Sequence, residues 1–296
     1  MDESALPIHF FTIVLNGEPF IRHHIEEFKK LAFRWHWHIV EGVAELRHDT
    51  AWSVPGGGRI PNTHRHGRSA DGTSEYLDQL VREHPQNVTI YRLPLDQFWD
   101  GKRAMVGAPL VNVREECILW EIDVDEIWTA AQFQQGRALF LRHPEKTAAR
   151  YWCWYFVGPD LVIITRNCYA NGRTEWLRTW RYRPGMGWAA HEPPMLVEPA
   201  GPGVWRDVAA INPFTQDQTE ASGLVFQHYA YTLIEQLQFK EQYYGYRNAV
   251  AHWLRLQQAL AQPLRLGDYL PWVTDQTLVS RVDGYVTPLL RLPAPP

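Results

Sequence analysis

Trp120-Glu121-Ile122-Asp123-Val124-Asp125-Glu126-Ile127-Trp128 lies near the middle of the chain and grows out of an apolar run, Cys117-Ile118-Leu119-Trp120. From there acidic and apolar residues alternate strictly, the pattern of a pleated strand whose two faces differ. Glu121, Asp123 and Asp125 then share one face, while Trp120, Ile122 and Val124 point the other way into a core. Carboxylates crowded on one face repel each other unless a cation sits against them. A hard divalent ion with oxygen ligands, Mg2+ or Mn2+ bridging to a substrate phosphate, suits carboxylates at the end of a strand. The alternative is a solvated edge strand, although such edges favour Lys over stacked carboxylates.

Upstream, His9-Phe10-Phe11-Thr12-Ile13-Val14-Leu15 is a continuous apolar run, as in a strand buried on both faces of a parallel sheet. It stops at Asn16-Gly17. Pro19 sits where a first helical turn accepts proline, and Phe20, Ile21, Ile25, Phe28 and Leu31 recur at helical spacing. Trp35 to Val40 gives a second strand ending in Glu41-Gly42, so Glu41 lies at a carboxyl end, where open α/β sheets place their ligands. An acid there accepts hydrogen bonds from a base or ribose, or is a surface carboxylate beside a turn. Between Thr50 and Thr73 the periodicity gives way to Pro55-Gly56-Gly57-Gly58-Arg59 and His64-Arg65-His66-Gly67-Arg68, the composition of a long basic loop suited to a substrate lid. Neither run completes a phosphate-loop or zinc pattern. A helix from Ser74 to Glu83, a strand from Val88 to Arg92 and a short helix capped by Asp100 follow. Lys102 and Arg103 fall in its first turn, where the helix dipole disfavours cations, so an anion is expected beside them: the central carboxylates or a diphosphate.

Downstream, Thr129-Ala130-Ala131-Gln132 is a capping box opening a helix towards Arg142. Tyr151 to Val157, the turn Gly158-Pro159-Asp160 and Leu161 to Thr165 read as a hairpin, and Trp176 to Tyr182 as a strand alternating basic and apolar residues. His191-Glu192, between aromatics and prolines, is either a general base with its neighbour or two loop residues. His228, on a short apolar strand, is either a core histidine or a third metal ligand brought from far along the chain. Thr232-Leu233-Ile234-Glu235 is a second capping box, launching the longest helix to about Ala261, with Phe239, Tyr243, Tyr246, Val250 and Trp253 as its apolar stripe. The domain expectation is a catalytic unit over 1–231 and a helical extension over 232–296 packed on it, with a frayed tail after Pro288.

The 296 residues, 45% hydrophobic and 21% charged, describe an ordinary globular α/β chain. A net charge of -4 argues against general nucleic-acid binding. No apolar run reaches the roughly 18 residues that mark an integral membrane segment, and the acidic start Met1-Asp2-Glu3-Ser4 is unlike a signal peptide, so a cytoplasmic location is expected. Cys117, Cys153 and Cys168 lack metal or disulfide spacing and read as reduced core residues. The 14 Trp and 13 Tyr supply flat faces for sugar rings as well as core bulk.

A strand-loop-helix opening, a second strand ending in an acid, a basic helix and a mid-chain strand ending in Asp-X-Asp resemble glycosyltransferases of the GT-A fold. Asp123-Val124-Asp125-Glu126 resembles their metal motif, and Phe11-Thr12-Ile13-Val14-Leu15-Asn16-Gly17-Glu18 the first strand and nucleotide loop of family 2 and uncharacterised bacterial relatives. The resemblance spans about residues 8 to 231. It implies a Rossmann-like mixed α/β sheet flanked by helices, a nucleotide-sugar donor and a Mn2+ or Mg2+ ion. It further implies that Asp125 and His228 bind the ion, that Asp123 contacts ribose or ion, and that Asn16 and Glu41 contact the nucleotide. The acidic catalytic-base motif of the family has no clear counterpart.

Transfer of a sugar from a nucleotide diphosphate builds negative charge on the leaving group. An ion on Asp123 and Asp125, assisted by Lys102 or Arg103, would stabilise it. His191 or Glu192 is the candidate base for a saccharide or other hydroxyl acceptor, and Trp152, Trp154, Trp176 and Trp188 are candidate stacking faces. The competing readings are an inactive carbohydrate- or nucleotide-binding protein on the same scaffold and a haloacid-dehalogenase-like phosphotransferase. The latter carries its Asp-X-Asp near the N-terminus.

Overall fold

Six strands make the central sheet: β1 (Ile8–Val14), β2 (Trp35–Glu41), β3 (Val88–Tyr91), β4 (Cys117–Glu121), β5 (Ala148–Arg150) and β6 (Leu177–Tyr182). In the computed structural model, which describes residues 6–45, 63–282 and 284–292, their order is 3-2-1-4-6-5. β1 pairs in parallel with β2 on one side and β4 on the other, β2 pairs in parallel with β3, and β6 runs antiparallel to both β4 and β5. The chain therefore winds outward from β1 in one direction and then returns to its other edge. That reversal between β1 and β4 opens a crevice at their carboxyl ends, where doubly wound sheets hold ligands.

Helices cover both faces, as a parallel sheet requires. α1 (Ile21–Phe28), α2 (Thr73–Glu83) and α4 (Ala130–Arg142) lie against one face, with Phe28, Leu77 and Phe133 in the same buried cluster as Phe10, Trp37 and Trp120. Phe10 stacks on Phe28 at 4.1 Å between ring centroids and meets Phe133 edge-on at 4.8 Å. α3 (Gly101–Gly107) covers the opposite face, where Val106 joins Phe11, Leu119 and Trp180. The mixed, helix-flanked and Rossmann-like α/β architecture expected from the sequence is the one observed.

Some local expectations are corrected. The central stretch is not one long strand: β4 ends at Glu121, and a turn leads to a separate short strand, Glu126–Ile127. The expected hairpin over 151–165 is reduced to its turn and one antiparallel bridge, Phe156 to Val162, because beyond it each arm has another partner. Trp152–Tyr155 pairs with Val225–His228, and Leu161–Ile163 pairs with Leu278–Arg281. The long C-terminal helix is two, α6 (Ile234–Tyr243) and α7 (Ala249–Gln257), after the short α5 (Gln216–Glu220). Gly245 at φ 71° and Asn248 at φ 53° take left-handed backbone that a continuing helix excludes. The second box also shifts by one residue, with Gln236 rather than Glu235 accepting from the amides of Thr232 and Leu233. The tail is pinned rather than frayed as far as it is described: Leu289 N–H donates to Gln227 and Leu290 N–H to Tyr229 Oη. Cys168, unlike buried Cys117 and Cys153, is only half-buried, and all three are free thiols.

The first part of the lid expected over Thr50 to Thr73, residues 50–62 including Arg59, lies outside the described residues. The described remainder, 63–73, clasps the loop after β1. Ser69 Oγ accepts from Asn16 N–H, Thr73 Oγ1 from Gly17 N–H and Asp71 Oδ2 from Glu18 N–H. Among the described residues, no helix is long and apolar enough to cross a membrane.

Candidate active site

The turn after β4 gathers the acids. Glu126 N–H donates back to the Asp123 carbonyl at 3.0 Å, a reverse turn with Asp in its favoured first position, and this folds Asp123 and Glu126 toward each other. His24 of α1 holds the turn through Val124 O at 2.9 Å. Gly17 allows the close approach, since a Cβ there would lie 3.2 Å from the Val124 side chain and 2.8 Å from that of Val14. Sheet register supplies the third group: Val225–His228 pairs antiparallel with Glu126–Ile127, so that His228 stands across from Glu126. Donor atoms of Asp123, Glu126 and His228 lie within 4.8 Å of one another. This set differs from the sequence expectation by one member. Asp125 is adjacent rather than in it, with Oδ1 3.3 Å from His228 Nε2 and Oδ2 accepting from Gln236 of α6 at 3.1 Å.

A buried guanidinium sits among these acids, and sequence reasoning missed it. β6 opposes β4 with Thr179 against Trp120, and continuing that register by one step sets Arg178 across from Glu121. Arg178 Nη2 donates to Asp123 at 2.8 Å and to Glu126 at 2.6 Å, Nε donates to Glu126 at 2.8 Å, and Nη1 is 3.6 Å from Glu121. Burial still dominates at Glu126 and raises its pKa to about 7, against Arg178 and with Asp123 adding to the rise. At Asp125 burial is outweighed by His228, which holds the carboxyl below its ordinary value, and His228 is raised in turn. Glu121 is likewise held low, its burial outweighed by His191 and Arg178.

The candidate bases are separated by chemistry. His191 Nε2 donates to Glu121 Oε1 at 2.7 Å, and its Nδ1 is buried without a hydrogen-bond partner among the described residues. Glu192 is bonded by Lys102 of α3, whose ammonium also donates to Tyr244 at 3.2 Å. The anion expected beside Lys102 is thus Glu192, not the central carboxylates. Asp100 stands at the N-cap of α3 without a side-chain capping bond.

Asp123, Asp125, Glu121, Arg178, His191, Glu192, Lys102 and His228 line a cleft of about 1530 Å³ at the carboxyl ends of β1 and β4, bounded by α6 and by Trp176, while Glu126 is fully buried and not part of its lining. Typical small-molecule pockets hold about 300–1,000 Å³, so the cleft has room for two substrates. Trp176 is a bulky residue at φ 55°, its ring edge-on to His228 at 4.7 Å. Trp152, Trp154 and Trp188 do not line the cleft. Asn16 does, though its side chain is engaged by Thr63 O at 2.6 Å and Ala70 N at 2.8 Å. Glu41 is not brought there. It is 1% exposed, accepting from Arg92 Nε at 2.5 Å, from Ser69 N at 3.1 Å and from the Ser74 hydroxyl. Arg103 and His66 are exposed and His64 half-buried, all three outside the cleft, with His66 2.9 Å from Asp96.

Among known proteins, no family model and no curated protein matches the chain. Solved structures do. A mannosyltransferase from Pyrobaculum calidifontis, in complex with GDP-Man and Mn2+, is 15% identical with a TM-score of 0.41, covering 90% of this chain and 78% of its own. TarS of S. aureus, as fragment 1-349 in complex with UDP-GlcNAc, is 12% identical with a TM-score of 0.38, covering 60% of this chain and 45% of its own. This chain thus spans less than half of that fragment, and 28% of a longer TarS structure. At such identities and scores these likenesses leave the argument about the site to its own residues.

Those residues fit a hard divalent ion. The donors are carboxylate and imidazole, and Glu126 Oε2 and His228 Nδ1 are buried without a hydrogen-bond partner among the described residues. Arg178 neutralises part of the acid charge and leaves these two atoms unused. Glu126 was present in the quoted motif. Its role depends on the turn, which alternation alone does not reveal.

Proposed function

We propose that the protein is a metal-dependent glycosyltransferase that moves a sugar from a nucleotide-diphosphate sugar, with UDP-sugar favoured, to a saccharide or other hydroxyl acceptor. The observation that carries this reading is the Asp123, Glu126 and His228 set with its buried atoms unpartnered among the described residues: Asp123 and His228 face a two-substrate cleft at the sheet's switch point, and Glu126 is buried beside them. Asp123, Glu126 and His228 would hold Mn2+ or Mg2+, with Asp125 orienting His228. When bound, such an ion supplies charge stabilisation to a departing diphosphate.

The chain's own groups do the rest. Arg178 fixes Asp123 and Glu126 in place. Glu192 is the group proposed to take the acceptor hydroxyl proton as that oxygen bonds to the sugar's anomeric carbon and the bond to diphosphate breaks. Lys102 orients Glu192, and His191, locked on Glu121, forms the wall beside it. Trp176 and the tyrosines of the cleft offer faces for sugar rings.

Calorimetric titration with UDP and GDP, with Mn2+ and in EDTA, tests the reading. Binding is expected only with metal, because the acid cluster and a diphosphate repel each other without it. Equal binding in EDTA would remove the metal bridge. Binding without release of nucleotide from any sugar donor over a broad acceptor panel would favour a binding protein.

A further inference from the structure

We infer that Lys240, on α6, is a phosphate-binding residue of the cleft, its ammonium taking the oxyanions of the nucleotide's diphosphate; this rests on the nucleotide-sugar reading. Among the described residues, four lysine and arginine side chains line the cleft: Lys102, Arg150, Arg178 and Lys240. Arg178 is spent on Asp123 and Glu126. Lys102 is bonded to Glu192 and Tyr244, and Arg150 donates to Thr174 O at 2.5 Å. Lys240 differs. Among the described residues it has no hydrogen-bond or ion-pair partner, and its Nζ sits over the rings of Tyr231 at 4.7 Å and Tyr244 at 5.8 Å.

An ammonium carries three donors, and a half-buried one with no hydrogen-bond or ion-pair partner among the described residues is under-satisfied. The helix explains its place. Gln236 reaches Asp125 from α6, and Lys240 lies one turn further on the same face. A phosphate held by the acid cluster's ion would therefore come within reach of it. The other usual source of phosphate contacts, backbone amides in the loop after β1, is occupied: Asn16, Gly17 and Glu18 donate to Ser69, Thr73 and Asp71. Burial lowers the Lys240 pKa, with Asp125 opposing, which makes its amine the more reactive toward acylation.

Competitive acylation of the full chain, read by peptide mass spectrometry in Mg2+ buffer, tests this. Lys29 and Lys30, surface residues of α1's end, are internal controls. Pyrophosphate, UDP and GDP are expected to slow Lys240 acylation several-fold relative to the controls, and uridine and guanosine to leave it unchanged. K240Q should weaken UDP or GDP binding by about tenfold and K240R should retain most of it, the loss of a charge-assisted hydrogen bond. Nucleotide binding by calorimetry without protection of Lys240 overturns the Lys240 assignment and keeps the nucleotide reading. Protection by pyrophosphate with no binding of any nucleoside diphosphate keeps the oxyanion site and overturns the nucleotide reading. Protection by neither overturns the assignment.

Discussion

Arg178 bridges Asp123 and Glu126 through one nitrogen, so its removal leaves their charge uncompensated. R178M is expected to cost about 3–5 kcal/mol in denaturant unfolding, part of it regained on adding Mn2+. A loss under ~1 kcal/mol would mean that solvent already screens the cluster. The pH dependence has a definite sign. Glu126, raised by burial to about 7, favours its protonated form in the folded chain, so stability falls as pH rises from the ordinary carboxylate range through 7. His228, raised by Asp125 against burial, contributes stability below its unfolded pKa that is lost as pH rises through its folded one. Both act in the same direction. In EDTA, wild type is expected to lose up to roughly 3 kcal/mol more than E126Q between pH 5 and pH 8. Identical pH profiles for the two would show that Glu126 ionises freely. Asp123 and His228 were legible as candidates because carboxylates on a mid-chain strand and a lone histidine late in the chain are visible in one sequence. Arg178 was not, although the basic and apolar alternation from Trp176 to Tyr182 was. Which residue faces Glu121 depends on sheet order, and sheet order is fixed by pairings between strands far apart in sequence.

At the scale of elements, the contact between β4 and α4 sets the position of the acids. Gly136 lies where Trp120 of β4 meets the helix, and a Cβ there would come within 2.5 Å of the indole. G136A should therefore cost about 1–3 kcal/mol by overpacking, because the near atoms belong to the fully buried indole of Trp120. Since Trp120 immediately precedes Glu121, Mn2+ affinity should fall as well. Normal affinity with lowered stability would show that the turn is positioned independently of the strand. Strands β1, β2 and β4 were readable because continuous apolar runs admit few alternatives at that length. The break between α6 and α7 was not, since the apolar stripe continues through it: Tyr246 and Trp272 meet at 4.8 Å beyond the end of α6. Only the backbone at Gly245 and Asn248 stops the helix. With the break, α6 becomes a wall of the cleft rather than a strut packed behind the sheet.

For the molecule as a whole, the last described segment bears on the site although it lies far from it in sequence. Residues 284–292 close over Val225–His228: Gln227 donates to Thr287 O at 2.7 Å and accepts from Leu289 N at 2.6 Å, and Tyr229 Oη accepts from Leu290 N at 3.0 Å. Val286, Leu290 and Leu292 pack on the cluster of Phe20, Ile127, Phe156 and Tyr229, which also backs the strand that carries Glu126. Residues after 231 also share the main core, where Leu237, Trp253 and Leu256 lie in one cluster with Phe10 and Trp120. Deleting residues 284–296 should cost about 3 kcal/mol or more, from exposed apolar area and from the orphaned amide of Gln227, which is otherwise 4% exposed. His228 follows Gln227 directly, and the strand it sits on would lose its outer support. Mn2+ affinity is therefore expected to fall together with melting temperature, and added Mn2+ to recover part of the latter by binding the folded form. A truncated protein with lowered melting temperature and unchanged Mn2+ affinity would show that His228 is held by Asp125 and Glu126 alone.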